Sequence, residues 1–146
     1  MFGTGSRVRS PSESARILLT NTLSGNKEVF IPLKPGQVLM YTCGPTVYSK
    51  AHIGNLRAYV FSDTLARTLI AAGYHVRRVI NITDVGHLAS DEDEGEDKVA
   101  RAAREASRDP ADVARHFEEL YWSDLKRLNI MAPKYRPRAT EHIKEQ

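Results

Sequence analysis

The residues best suited to chemistry lie between Cys43 and Asn55, in the run Cys-Gly-Pro-Thr-Val-Tyr-Ser-Lys-Ala-His-Ile-Gly-Asn. Its two glycines let a ligand approach the backbone closely, and a helix that begins here would offer unpaired N–H groups and a partial positive charge to a phosphate. His52 and Asn55 are three residues apart and would project on one side of the first helical turn. The run therefore predicts a phosphate site to which both side chains donate hydrogen bonds.

Plainer interpretations of the same residues stay open at this level. Cys43 is the only cysteine, which excludes an internal disulfide and leaves a buried small hydrophobe, a nucleophile or a metal ligand. His52 can also serve only as a local helix cap. Thr83 and Asp84, which follow an apolar run, are common turn formers at a strand end.

A strand, a helix and a second strand must position this run. Val38–Thr42 is a short apolar segment after a Lys-Pro-Gly turn, which indicates a buried strand. Apolar residues recur at helical spacing over Ile53–Ala72 and end at Gly73, whose type suits a left-handed cap. Val76–Ile82 is β-branched and predicts the second strand. Short connections make this a right-handed βαβ unit of an α/β fold with parallel strands, and a nucleotide is expected beyond their carboxyl ends.

The second half of the chain predicts further helices. Lys98–Ser107 is rich in Ala and Arg, and Asp109-Pro110 supplies an N-cap followed by proline at the first helical position. Two prolines then predict an extended stretch between Pro133 and Pro137, before a short helix that begins with residues 141–144 and that Thr140 would cap. Because that last helix would have only about two turns, the chain is expected to be truncated there.

Composition bounds the function class only loosely. The 146 residues are 41% hydrophobic and 27% charged, which is typical of one globular domain. No stretch is long enough to cross a bilayer and no leader pattern follows the first arginines, so a cytoplasmic protein without a membrane partner is expected. The net charge of +3 is weak evidence for a nucleic acid. Residues 1–14 predict a flexible tail, residues 15–146 the domain, and the acidic run 91–97 and basic run 134–138 solvated surface.

Several separated motifs together resemble one enzyme family. The run at residues 52–55, His-Ile-Gly-Asn, is similar to the first signature of class I aminoacyl-tRNA synthetases, and the preceding Cys-Gly-Pro-Thr-Val-Tyr narrows the resemblance to cysteinyl-tRNA synthetases. Asn-Ile-Thr-Asp at 81–84 and Pro-Arg-Ala-Thr-Glu-His-Ile at 137–143 continue it. The segment after Asp84 departs from the family, in which more acidic residues and a lysine usually follow directly. The resemblance implies the N-terminal portion of a Rossmann-like catalytic domain, a parallel sheet with flanking helices that is incomplete here.

The resemblance also implies roles for particular residues. His52 and Asn55 take the catalytic role on ATP, and Cys43 takes the position of the first zinc ligand. The implied ATP-binding residues are Thr46, Tyr48, His52, Gly54 and Asn55, and those implied to bind the cysteine substrate are Gly44, Thr46 and Thr83.

The implied reaction is the activation of L-cysteine with ATP and magnesium, followed by its transfer to tRNA(Cys). Zinc in the family binds the substrate thiolate and so separates Cys from Ser. The other zinc ligands, the second signature Lys-Met-Ser-Lys-Ser and the anticodon-binding domain have no counterpart in these residues, so the isolated chain is expected to be inactive. Two alternatives remain. One is a relative that joins cysteine to an amino-sugar, and the other is a stand-alone truncated paralogue that binds a nucleotide or a protein partner without aminoacylation.

Overall fold

The computed structural model describes residues 16–85 and 97–145 as a small α/β unit. An antiparallel hairpin pairs β1 (Leu18–Thr20) with β2 (Lys27–Val29). The central pair, β3 (Gln37–Thr42) and β4 (His75–Ile80), is parallel and in register from Gln37 opposite His75 to Thr42 opposite Ile80. The flexible tail predicted for residues 1–14 and nearly all of the acidic run, residues 91–96, lie outside the described residues.

Helix α1 (Ile53–Ala71) connects the two parallel strands, as the sequence predicts. It ends before Gly73, whose φ of +91° confirms the left-handed cap. The observed strand β4 ends at Ile80, two residues before the predicted end, although Ile82 still forms an isolated parallel bridge to Arg138. The polar Asn81 between them turns its side chain to β3 and interrupts the regular ladder.

Two more helices follow, α2 (Lys98–Glu105) and α3 (Pro110–Arg127). The cap at Asp109 is confirmed, since its carboxylate accepts a hydrogen bond from the Ala111 N–H at 2.8 Å and Pro110 opens the helix. Helix α2 is shorter than predicted, because Ser107 adopts a positive φ of 51° that ends the helical path. Within the described residues, no helix is both long enough and apolar enough to span a membrane.

The extended stretch after α3 runs along the free edge of β4. The Ile80 N–H donates to the Tyr135 carbonyl at 3.1 Å, and the Ile82 N–H donates to the Pro137 carbonyl at 2.8 Å. The helix predicted to begin with residues 141–144 is wrong: the structure has a 3₁₀ turn, Ala139–His142, that begins after Arg138. Thr140 caps nothing, because its hydroxyl donates to the Asp84 carboxylate at 2.6 Å instead.

A buried ion pair fastens this returning stretch to α1 and β4. Asp63 and Arg78 are 5% and 4% exposed, and their carboxylate and guanidinium are 2.7 Å apart. The same carboxylate oxygen of Asp63 accepts from the Met131 N–H at 3.0 Å, and Arg78 donates to the Met131 carbonyl at 3.0 Å. Arg67, one turn along α1, adds a second contact to Asp63 at 2.6 Å. We call these three residues the α1 clamp.

The apolar core lies at the carboxyl end of the parallel strands, where α1, α2 and α3 meet. Its buried members include side chains from the loop after β3, the strand-end residue Ile82 and all three helices, namely Val47, Tyr59, Ile82, Val99, Ala114, Tyr121, Leu125 and Ile130. The core therefore supports the loop that carries the predicted site residues.

Candidate active site

A cavity of about 240 Å³ opens between the end of β3 and the start of α1. Residues 44–52 line it without interruption, together with Asn55 and Tyr59 of α1, Lys98 of α2, and Phe117 and Tyr121 of α3. It therefore lies at the carboxyl end of a parallel strand, where nucleotides bind in open α/β sheets. The structure brings together most of the sequence-predicted site residues here: Gly44, Thr46, Tyr48, His52 and Asn55.

His52 and Asn55 form a capping box at the start of α1. The Nδ1 atom of His52 accepts a hydrogen bond from the Gly54 N–H at 3.1 Å, and the side-chain oxygen of Asn55 accepts from the His52 N–H at 3.1 Å. The cap interpretation of His52 and the phosphate interpretation are thus compatible. An imidazole that accepts at Nδ1 carries its proton on Nε2, and an amide that accepts through oxygen keeps its NH₂ group as a donor. Both exposed side chains therefore present donors.

Gly54 has a steric reason to be glycine. A Cβ atom placed on it would lie 2.9 Å from Cε1 and 3.0 Å from Nδ1 of the His52 ring. Because a side chain here would displace the imidazole, the absence of one at Gly54 keeps the ring folded back over the first turn. Gly54 does not line the cavity, and its part in ATP binding stays a prediction that would act through His52.

Beside Gly44 and Thr83, which are predicted to bind cysteine, Asn81 organises the backbone after β3. Its side-chain oxygen accepts from the Gly44 N–H at 2.9 Å and from the Tyr41 hydroxyl at 3.0 Å, while its amide donates to the Thr83 hydroxyl at 3.1 Å. A Cβ atom on Gly44 would lie only 1.7 Å from the Asn81 carbonyl oxygen, so only glycine fits there. Sequence reasoning placed Asn81 in a motif without giving it a role.

Thr83 lies next to Thr46, which was also predicted to bind cysteine. The two form a parallel bridge, in which the Val47 N–H donates to the Thr83 carbonyl at 3.1 Å and the Thr83 N–H donates to the Pro45 carbonyl at 3.0 Å. Thr46 lines the cavity, whereas Thr83 is not among its lining residues. Asp84 is engaged elsewhere, because its carboxylate accepts from both the N–H and the hydroxyl of Thr140.

Cys43 is exposed and lies just outside the cavity wall. Among residues 16–85 and 97–145, no three His, Cys, Asp or Glu side chains come close enough to hold a metal ion. One thiol is too few donors for zinc, which binds through three or four protein ligands. The residues described here therefore do not by themselves fit the zinc site that the family resemblance implies.

Two tyrosines form the inner wall of the cavity. The rings of Tyr59 and Tyr121 meet edge to face, with centroids 5.1 Å apart. Burial raises the pKa of the Tyr59 phenol to about 12, and the charge of a Cys43 thiolate adds to that rise. Burial likewise raises the pKa of Tyr121. Both phenols are consequently neutral at physiological pH and add no negative charge to the cavity.

The charged side chains among the described residues that line the cavity are all cations. Lys50 and Lys98 line it beside His52, and no Asp or Glu is among the described lining residues. Sequence reasoning missed Lys98, since it belongs to a different helix and follows the acidic run. A cavity with basic and neutral donors and no carboxylate favours an anionic ligand.

Comparison with known proteins identifies the family of this chain. The model of the class I (C) tRNA synthetase catalytic domain matches residues 29–146. A cysteine–tRNA ligase of Zymomonas mobilis is 54% identical over 132 residues, which is 90% of this chain and 26% of that protein. A cysteine–tRNA ligase of Treponema denticola is 51% identical over 127 residues, 87% of this chain and 26% of that protein. The chain thus spans about a quarter of the length of these curated relatives.

A solved structure supports the fold independently of close sequence similarity. A LeuRS of Agrobacterium radiobacter K84, crystallised in a ternary complex with tRNA and LeuAMS, superposes with a TM-score of 0.57 at 24% identity. The match covers 74% of this chain and 13% of that one. At this identity the similarity concerns the architecture, and it confirms the predicted α/β class of the parallel strand pair with its helices.

Proposed function

The chain belongs to the family of class I cysteinyl-tRNA synthetase catalytic domains, and from that premise we propose that it supplies the phosphate-binding half of the active site of a cysteine–tRNA ligase. In the proposed reaction the carboxylate of L-cysteine attacks the α-phosphorus of ATP and releases pyrophosphate. The cysteinyl group is then transferred to tRNA(Cys). The observation that carries the proposal is the cavity in which the capping box turns two donors outward.

His52 and Asn55 are proposed to bind phosphate oxygens of ATP through Nε2–H and the side-chain amide. Both groups are held before ATP arrives, because each uses its other polar atom in the capping box. Donors that are already oriented lower the energy of charge developing on the phosphates without a cost of reorganisation. The first turn of α1 adds unpaired N–H groups and a partial positive charge. Tyr48 and Thr46 complete the proposed ATP wall.

Gly44, Thr46 and Thr83 are the proposed binding residues for the cysteine substrate. They surround the end of β3, where Asn81 holds Gly44 and Thr83 in fixed positions. Zinc remains part of the proposal only for a site with further ligands, to which Cys43 would contribute one thiolate. Because the described residues do not make that site, no step here depends on zinc. Magnesium would enter bound to ATP, since no carboxylate is among the described residues that line the cavity.

The partners of the proposed reaction are L-cysteine, ATP and tRNA(Cys), the last through parts of a ligase outside these 146 residues. We expect the isolated chain to bind ATP. We expect it to make cysteinyl-adenylate only poorly. A preorganised donor contributes about a hundred- to a thousandfold in rate, and several such donors are expected from the rest of the ligase. The cytoplasmic location predicted from the sequence stays a prediction.

A hybrid ligase tests the proposal. The matching quarter of the Zymomonas mobilis ligase is replaced by this chain, and cysteine-dependent exchange of labelled pyrophosphate into ATP is measured. We expect exchange by the hybrid, and a loss of about a hundredfold or more when His52→Ala removes a donor. Lys27→Met, an exposed change in β2, is the control and should leave exchange unchanged.

Binding by the isolated chain gives a second measurement that does not depend on folding of the hybrid. Titration with ATP should shift amide signals of the residues around His52 and Asn55. Exchange that is insensitive to His52→Ala, or amide shifts confined to other parts of the chain, would contradict the proposal. Exchange by the isolated chain at the rate of the hybrid would instead favour a complete small enzyme.

A further inference from the structure

Lys98 lines the cavity, although it belongs to none of the signature motifs. It is the first residue of α2 and is half-buried. Its Nζ lies 5.8 Å from the centroid of the Tyr48 ring, so the ammonium is held over an aromatic wall of the cavity. Among the residues that the structure describes, Lys98 forms no ion pair.

The backbone around Lys98 is fixed on both sides. The Asp97 carboxylate accepts from the Val99 N–H at 2.8 Å and from the Ala100 N–H at 2.9 Å, which caps the helix. Val99 is 2% exposed and packs in the core with Val47 and Tyr121. These contacts position the start of the Lys98 side chain at the cavity and leave its long stem free to reach a ligand.

The electrostatic environment selects the ligand. The cavity holds Lys98 and Lys50 with the outward donors of His52 and Asn55, and no carboxylate is among the described residues that line it. A lysine ammonium binds phosphate as a compact point charge with three donors. The carboxylate of the cysteine substrate is a less suitable ligand for Lys98 than a phosphate. The residues proposed to bind cysteine include Gly44 and Thr83, which are both hydrogen-bonded to Asn81.

We propose that the Lys98 ammonium binds a phosphate group of ATP in the same cavity as His52 and Asn55, an inference that rests on the proposed function. Lys98 then acts on the triphosphate from α2 while the capping box acts from α1. The triphosphate would thereby connect two helices that the sequence separates by the acidic run.

Four variants of the 146-residue chain test the role of Lys98. Lys98→Met keeps the stem and removes the charge, Lys98→Arg keeps the charge, His52→Ala removes a capping-box donor, and Lys27→Met is the remote control. Dissociation constants for ATP, inorganic tripolyphosphate and adenosine are measured by amide titration of each variant. We expect Lys98→Met to weaken ATP and tripolyphosphate about tenfold, which is the size of one charge-assisted contact, and to leave adenosine unchanged. Lys98→Arg should stay within about threefold of the wild type, since the charge is retained.

Each contrary outcome has its own meaning. Unchanged ATP binding in Lys98→Met, with a loss in His52→Ala, overturns the inference and leaves the proposed function standing. An equal loss of affinity for adenosine and ATP in Lys98→Met would show that Lys98 only supports the Tyr48 ring. That outcome also overturns the inference. A wild-type chain that does not bind ATP even at millimolar concentration contradicts the proposed ATP site, and the inference fails with it.

Discussion

The start and the middle of one helix use polar side chains in opposite ways. At the start of α1, His52 and Asn55 are exposed and hydrogen-bond to backbone groups two or three residues away. Further along α1, Asp63 is buried, and its carboxylate contacts Arg78 and Met131, fifteen and sixty-eight residues away in sequence. The local hydrogen bonds use the side-chain acceptors of the first pair and leave its side-chain donors unused by them. The charges of the α1 clamp are paired with one another and hold distant segments of the chain together.

This difference predicts that stability and ligand binding respond to different residues of α1. Changes in the clamp should alter the free energy of unfolding, because a buried charge without its partner is costly. Changes in the capping box should alter ATP affinity with little effect on stability, because its groups stay in contact with water.

The largest effect is expected from Asp63→Ala. The substitution leaves the Arg78 guanidinium buried without its carboxylate and removes the acceptor of the Met131 N–H. We expect a loss of about 3–5 kcal/mol in the free energy of unfolding, measured by denaturant titration. The stretch from Met131 to Pro137 should also lose protection from hydrogen exchange, since the clamp fastens its first residue.

An exposed ion pair provides the matched control. Asp124→Ala removes a partner of Arg127, whose side chain is 81% exposed and 3.6 Å from the carboxylate. Its cost should be below about 1 kcal/mol, because water screens such pairs. Equal losses for Asp63→Ala and Asp124→Ala would show that the buried pair has no special weight in this fold.

The sequence predicted the βαβ unit well because its signals are local. Apolar periodicity, the β-branched run and Gly73 act within a few residues, and the observed α1 and β3 bounds differ from the predicted ones by a single residue at one end. The clamp was not predicted, since Asp63 and Arg78 look like surface charges until the fold brings them together. The last helix was predicted wrongly for the same reason: the hydroxyl of Thr140 is bound by Asp84, fifty-six residues earlier.

A smaller effect, on ATP affinity rather than on stability, is expected from Gly54→Ala. The added methyl would lie 2.9 Å from the His52 ring, which must turn away from its position in the capping box. We expect ATP affinity to fall about tenfold, as for the loss of one contact to a charged group. Stability should change by less than about 1 kcal/mol, since the helix preference of alanine over glycine offsets the cost of losing the His52 cap.

Ala58→Gly is the mirror control on the exposed side of the same helix. It should reduce stability by about 0.5–1 kcal/mol and leave ATP affinity unchanged. Parallel losses of stability and affinity in Gly54→Ala would instead mean that the start of α1 and the clamp form one cooperative unit, and the contrast between them would disappear.

The candidate site was predictable as far as it is contiguous in sequence. Residues 44–52 line the cavity as one segment, and Asn55 follows within the first turn of the helix. Lys98, Tyr59 and Tyr121 reach the cavity from α2, α1 and α3. Their place in the site could not be predicted from the sequence, because it depends on how the three helices pack around Val47. Tyr121 lies in the core and also lines the cavity, and helical periodicity alone does not show that a core residue can face a cavity.

The smallest effect is expected from Thr140→Val, which tests whether Asp84 belongs with the site or with the clamp. Asp84 follows Thr83 in the motif that resembles the family, yet its carboxylate accepts from the Thr140 N–H at 3.0 Å and from the Thr140 hydroxyl at 2.6 Å. Valine keeps the first hydrogen bond and removes the second. Because the pair is exposed, we expect a loss of only about 0.5–1 kcal/mol, measured by denaturant titration.

ATP affinity decides the assignment of Asp84. If Asp84 only fastens the 3₁₀ turn, Thr140→Val should leave ATP affinity unchanged, as the clamp variants should at temperatures where they remain folded. Thr64→Val, which removes a hydroxyl bonded within α1 at 2.9 Å, controls for the loss of a hydroxyl alone. A fall in ATP affinity in Thr140→Val but not in Thr64→Val would mean that Asp84, released from Thr140, places a negative charge near the phosphates. In that case the 3₁₀ turn would serve to keep a carboxylate away from a cavity whose described lining contains none, and long-range contacts would shape the ligand site as well as the fold.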